Sequence, residues 1–144
     1  MKILLTGSSK GIGFSIAKTL INEGHEIALH YNKNKSSLDT LIKDSKTNSF
    51  TIQSDLSDLN QIKDLVNITI DKLSFPDCII NNAGIAESAN ISIDFEKWND
   101  LFDRTIDVNL KAPSLIFKEL INYKRANKIK SRLRFINIAS RAAF

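Results

Sequence analysis

The string Thr6-Gly7-Ser8-Ser9-Lys10-Gly11-Ile12-Gly13 limits the folds open to this chain more than any other stretch of it. It follows the apolar run Ile3-Leu4-Leu5 and opens a pattern at Ile12, Ile16, Leu20 and Ile21, spaced for one face of a helix. The stretch therefore reads as strand, glycine turn and helix N-terminus. The first N–H groups of a helix have no partner within it, and the helix dipole adds partial positive charge there, so such a turn attracts phosphate. Gly7 allows a tight turn off the strand, while Gly11 and Gly13 carry no Cβ to hold off a pyrophosphate or the neighbouring strand. A turn that only reverses the chain could hold the same glycines. A second string, Asn81-Asn82-Ala83-Gly84, follows a second apolar run at Cys78 to Ile80.

Between and beyond these strings, strand-like and helix-like apolar periods alternate to the end, without a linker, a repeat or a low-complexity tract. Strands are expected at Lys2 to Leu5, Glu26 to His30, Phe50 to Ile52, Cys78 to Ile80 and Arg134 to Ile138. Ser36 and Ser57 are the expected N-caps of the second and third helices. Trp98, Leu101, Phe102, Ile106, Leu110, Leu115, Ile116 and Leu120 predict one long helical region before the fifth strand. Strands joined by helices imply an α/β fold with a doubly wound parallel sheet of about five strands, in one domain over 1–144. Ligands bind such sheets at the carboxyl ends of the strands. Both glycine strings, Asp55 and Ser140 fall just past those ends.

With 42% apolar and 25% charged residues, the chain has the composition of a globular protein able to bury a core. Ile3-Leu4-Leu5 is too short for a signal-peptide core, and no run approaches bilayer length, so a cytoplasmic, membrane-free protein is expected. Cys78, the only cysteine, reads as a buried packing thiol beside Ile79 and Ile80. His25 and His30 supply no ligand set for a metal. The net charge of +4 owes much to Lys124, Arg125, Lys128, Lys130, Arg132 and Arg134. No aromatic interleaves them, so they read as the solvated end of a helix and not as a nucleic-acid surface.

Thr6-Gly7-x-x-x-Gly11-Ile12-Gly13, Asp55-Leu56, Asn81-Asn82-Ala83-Gly84, Asp107-Val108-Asn109-Leu110 and Ile136-Asn137-Ile138-Ala139-Ser140 together resemble, in order and spacing, the short-chain dehydrogenase/reductase family, above all its 3-oxoacyl-carrier-protein reductase type. The resemblance implies a Rossmann-type fold that binds NADP(H) or NAD(H) and reduces a small carbonyl substrate, usually as a homo-oligomer. It implies that Gly7, Ser9, Lys10 and Ile12, with Gly11 and Gly13, line the adenosine phosphates. Asp55 would accept from the adenine amino group, with Leu56 beside the ring, and Asn82, Ala83 and Gly84 would follow the nicotinamide-side ribose. Ser140 would hydrogen-bond the substrate carbonyl, and Asn109 would hold a water of the proton relay. Pro113, four residues after Asn109, lacks the N–H that would bond the Asn109 carbonyl in a helix, which leaves that carbonyl free for water.

Cofactor choice is readable from charge. An NAD site carries an acid near the end of the second strand, whereas a 2′-phosphate needs cations. No acid lies between Glu26 and Asp39; Lys33 and Lys35 do, and Lys10 precedes Gly11. NADP(H) is the expected cofactor.

The family's catalytic tyrosine and its lysine four residues on belong to a helix after the fifth strand, past Phe144. Tyr31 and Lys35 share that spacing but follow the second strand, at the wrong end of the cofactor. By itself the chain is expected to be weakly active or inactive, with its fifth strand an open edge able to pair with another copy. A non-catalytic nucleotide-binding or interaction module, and a pair of complementary chains, are the alternatives.

Overall fold

The structure, a computed structural model, describes residues 1–87 and 89–139. Five parallel strands, β1 (Lys2–Leu5), β2 (Glu26–Tyr31), β3 (Phe50–Gln53), β4 (Cys78–Asn81) and β5 (Arg134–Asn137), form one sheet in the order β3-β2-β1-β4-β5. Chain order reverses between β1 and β4, so the switch point lies where the two glycine strings leave the sheet. The connections are α1 (Gly11–Asn22), α2 (Ser36–Lys43), α3 (Leu59–Leu73) and a last pair, α4 (Phe95–Ile106) and α5 (Ala112–Ala126).

Alternate strand residues face opposite layers, and both faces are covered. Ile3, Leu5, Ile27, Leu29, Tyr31, Cys78 and Ile80 pack with Ala17, Ile21 and Leu38 of α1 and α2. Leu4, Ala28, Ile52 and Ile79 pack with Ile62, Leu65 and Val66 of α3 and with Ile116 and Leu120 of α5. Burial pushes the Cys78 thiol up, as suits a packing residue. Tyr31 lies in the α1 and α2 layer, and Lys35 pairs with Asp39 at 3.5 Å.

Three local expectations are corrected. Asp58, not Ser57, caps α3: its carboxylate accepts from the N–H groups of Asn60 and Gln61, while Ser57 turns back to Asp55. Ser36 is already helical, and its N–H donates to Asn34 Oδ1. The long region from Trp98 to Leu120 is two α-helices joined by a π-helical turn, Asp107–Lys111, closed by an Ala112 N–H to Asp107 carbonyl bond. Pro113 stands at the start of α5, where its missing N–H lies beside that widened turn. α4 buries none of its residues, whereas α5 buries Ala112, Ile116 and Leu120. Lys124 and Arg125 occupy the last turn of α5, where the dipole favours cations.

Candidate dinucleotide site

Thr6, buried at the end of β1, ties the two glycine strings together. Its Oγ1 accepts from the N–H groups of Asn82 and Ala83, both at 3.0 Å. In return, Asn82 Nδ2 donates to the carbonyls of Thr6 (3.1 Å) and Gly7 (3.0 Å). This interlock explains the glycines. A Cβ on Gly13 would lie 2.2 Å from the Gly7 carbonyl oxygen and 2.4 Å from Asn82 Nδ2, so α1 can approach the turn only without a side chain there. Gly11 differs: its φ of +55° is left-handed, and a Cβ there would meet nothing within 4 Å.

Above this interlock, at the carboxyl edge of the sheet, opens a cavity of about 600 Å³, within the range of cofactor sites. Gly7, Ser9, Lys10, Gly11, Ile12 and Gly13 line it, together with Lys33 and Leu56 and with Asn82, Ala83 and Gly84. Every one of these was expected from the sequence. Asp55 stands beside the lining, between Ser54 and Leu56, with its Oδ1 accepting from the N–H (3.0 Å) and hydroxyl (2.8 Å) of Ser57. Those bonds hold its carboxyl below the usual carboxylate value, with Arg104 adding a smaller share.

Asn109 approaches from the π-turn and pairs with the main chain of Ile85, which lines the cavity beside Gly84. Ser140 lies outside the described residues.

His30, Asn32, Asn34, Arg104 and Val108 also line the cavity, and sequence reasoning did not select them. Position at the end of the second strand, for His30, and just after it, for the two asparagines, was the one signal available. Arg104, ion-paired with Glu87 at 3.6 Å, gave none, because it comes from a helix distant in sequence.

The residues fit a phosphorylated dinucleotide. α1 has no acid in its first turn and no side-chain cap, so its first amides are free to meet an anion. Lys10, Lys33 and Arg104 line the cavity, and among the described residues no carboxylate does. Among the described residues there is also no cluster of metal-binding side chains, and no helix long and apolar enough to cross a membrane.

Strand order, glycine turn and cavity define a doubly wound, dinucleotide-binding α/β protein. More narrowly, the chain belongs to the short-chain dehydrogenase family, whose pattern matches residues 1–144. It is 32% identical over 113 residues to the 3-oxoacyl-[acyl-carrier-protein] reductase FabG of Staphylococcus aureus, a match covering 76% of this chain and 44% of that protein. Among solved structures, a blue fluorescent protein from a metagenomic library, in complex with NADPH, superimposes with a TM-score of 0.81 at 27% identity, covering 98% of this chain and 56% of that one. A metagenomic short-chain oxidoreductase in complex with NADP gives 0.77 at 26% identity, covering 96% and 62%. The chain spans about half the length of the curated relatives it matches.

Proposed function

We propose that the chain is the cofactor-binding portion of an NADP(H)-dependent oxidoreductase that converts a ketone or aldehyde to an alcohol. The charge of the cavity wall carries this reading. Three cations and no carboxylate among the described lining residues suit a ligand with a pyrophosphate and a 2′-phosphate, whereas a site for the unphosphorylated nucleotide sets an acid against the ribose hydroxyl. Of the two lysines after β2, Lys33 lines the cavity and Lys35 is paired with Asp39.

A bound nicotinamide supplies the hydride. Lys10 and Lys33 hold the 2′-phosphate, and the first amides of α1 hold the pyrophosphate. Leu56 packs on the adenine, and the second oxygen of Asp55 accepts from its amino group. Asn82, Ala83 and Gly84 support the ribose on the nicotinamide side. The main-chain carbonyl of Asn109 holds a relay water, and Ser140 donates to the substrate carbonyl oxygen. The name of the staphylococcal relative supports a 3-oxoacyl substrate. Titration with NADPH and NADH, followed by nicotinamide fluorescence and thermal stability, tests the cofactor reading. Tighter binding of NADPH is expected, and equal affinities would overturn the lysine argument.

A second reading concerns association. α4 exposes Phe95, Trp98, Phe102 and Ile106, with the Trp98 and Phe102 rings stacked at 5.7 Å. These features favour assembly with a further chain, as a homo-oligomer or with a partner. A strictly monomeric mass in light scattering would remove that reading.

A further inference from the structure

His30 is the next-to-last residue of β2, and only 2% of it is exposed. Its ring joins two strand ends. The N–H of Gly7 donates to Nδ1 at 3.0 Å, and Nε2 lies 3.0 Å from the Ser54 carbonyl oxygen. A main-chain N–H can only donate, so Nδ1 is the bare nitrogen and Nε2 carries the proton that reaches Ser54. The main chain of His30 holds the same turn, since its carbonyl accepts from both the N–H and the hydroxyl of Ser8 at 2.9 Å.

We propose that His30 is a positioning residue of the dinucleotide turn, gripping the Gly7 peptide only as a neutral imidazole, so that protonation of this one side chain loosens the turn and weakens cofactor binding. The proposal rests on reading the cavity as a dinucleotide site. Gly7 is pinned from both sides, its N–H by His30 and its carbonyl by Asn82. It also holds a left-handed φ of +64°. The grip therefore fixes the peptide from which the turn rises to α1. Because His30 takes the Gly7 N–H, donors to a phosphate must come from the start of α1. There, Phe14 bonds the Lys10 carbonyl, and the amides of Gly11, Ile12 and Gly13 precede the first possible helical bond.

Protonation would set an Nδ1–H against the Gly7 N–H, two donors at hydrogen-bond distance. Either the ring or the peptide must then move. Burial opposes protonation most strongly and lowers the ring's basicity, while the Ser54 carbonyl and the Asp55 carboxylate favour it. Lys10 from the turn, Lys33 from the loop after β2 and Arg104 from α4 line the same cavity and add positive potential that opposes it. His30 is thus neutral near neutral pH and gains its proton at a pH below the ordinary histidine value.

The test is the dissociation constant of NADPH and, in parallel, NADH from about pH 8 to about pH 5, for the wild-type chain, His30→Asn and His30→Leu. NADH is needed because the 2′-phosphate of NADPH itself titrates near about pH 6. Asparagine offers Gly7 an amide oxygen that never titrates, whereas leucine offers nothing. The wild type should lose about 3- to 10-fold in affinity for both nucleotides toward the acid end, the worth of one such bond. His30→Asn should bind about as well as the wild type at high pH and stay flat, and His30→Leu should be weaker by that factor throughout. A wild-type profile for NADH that stays flat across the protonation of the His30 ring followed by ¹⁵N NMR, or one that His30→Asn reproduces, overturns the proposal even if His30→Leu fails to fold. Should neither nucleotide bind at any pH, the cofactor reading fails. ¹⁵N NMR of the ring then decides the grip alone, and a proton on Nδ1 at neutral pH overturns it.

Discussion

Asn109 and Ile85 are joined in both directions: the side-chain Nδ2 donates to the Ile85 carbonyl at 2.8 Å, and Oδ1 accepts from the Ile85 N–H at 2.8 Å. The helical region is thereby fastened to the loop that leaves β4, immediately after Gly84. The clasp is exposed to solvent, so each bond is worth little by itself. Asn109→Leu should cost about 0.5–1.5 kcal/mol in urea denaturation and speed amide exchange at Ile85, leaving exchange in β1 and β2 unchanged. Unchanged protection at Ile85 would show that the loop is held by other contacts.

Gly13 and Gly11 predict opposite outcomes for the same substitution. Gly13→Ala drives a methyl into the Gly7 carbonyl and the Asn82 amide, and should destabilise by about 1–3 kcal/mol or more while abolishing nucleotide binding. Gly11→Ala meets no neighbour and bears only the cost of its left-handed φ, about 1–2 kcal/mol. Calorimetry and nucleotide titration of the pair should separate them, with Gly11→Ala retaining a measurable dissociation constant.

Lys10→Ala and Lys33→Ala should each weaken NADPH binding by about 5- to 50-fold, the range for losing a charge-assisted contact. NADH binding should change far less. Equal losses with both nucleotides would show that the lysines act on the shared pyrophosphate and not on the 2′-phosphate.

Asp55 gives a pH dependence of known sign. Its folded-state carboxyl is more acidic than the ordinary value of 3.8, because Ser57 donates to its ionised form through both N–H and hydroxyl. The unfolded chain therefore takes up the proton first as the pH falls. The stabilisation is complete above that ordinary value and is lost as the pH falls through the lower, folded-state value. Ser57→Ala removes one of the two donors and should raise the Asp55 value observed by NMR, with a smaller loss of stability on acidification. An unmoved titration would assign the shift to the Ser57 N–H, which the alanine keeps, with Arg104 adding a smaller share.

Much of this architecture is legible in the sequence, because strands of a parallel sheet covered on both faces are short apolar runs, and because glycine cannot be replaced where a helix meets a turn at contact distance. All five strands lie where the apolar runs put them, with ends shifted by a residue at four of them. Every expected residue of the glycine strings lines the cavity. What the sequence did not reveal depends on distance across the fold. His30 acts through Gly7 and Ser54, residues 23 and 24 positions away, and Arg104 reaches the cavity from a helix with no buried residue. Ser57 was passed over as a cap because Asp58 next to it accepts more effectively from the free amides, a choice between neighbours that composition does not decide.

The π-turn at Asp107–Lys111 has a geometric effect on the surface the protein presents. One supernumerary residue sets everything after it back by about 100° around the helix axis. Without it, the azimuth of Phe95, Trp98, Phe102 and Ile106 would run on into that of Ile116 and Leu120, and a single seam would have to serve both solvent and core. With it, the outward ridge continues instead through Leu110 and Phe117, both exposed, while Ile116 and Leu120 turn inward. The widened turn works as a phase shifter, letting one nearly continuous rod carry an apolar keel on the outside and a packed one on the inside.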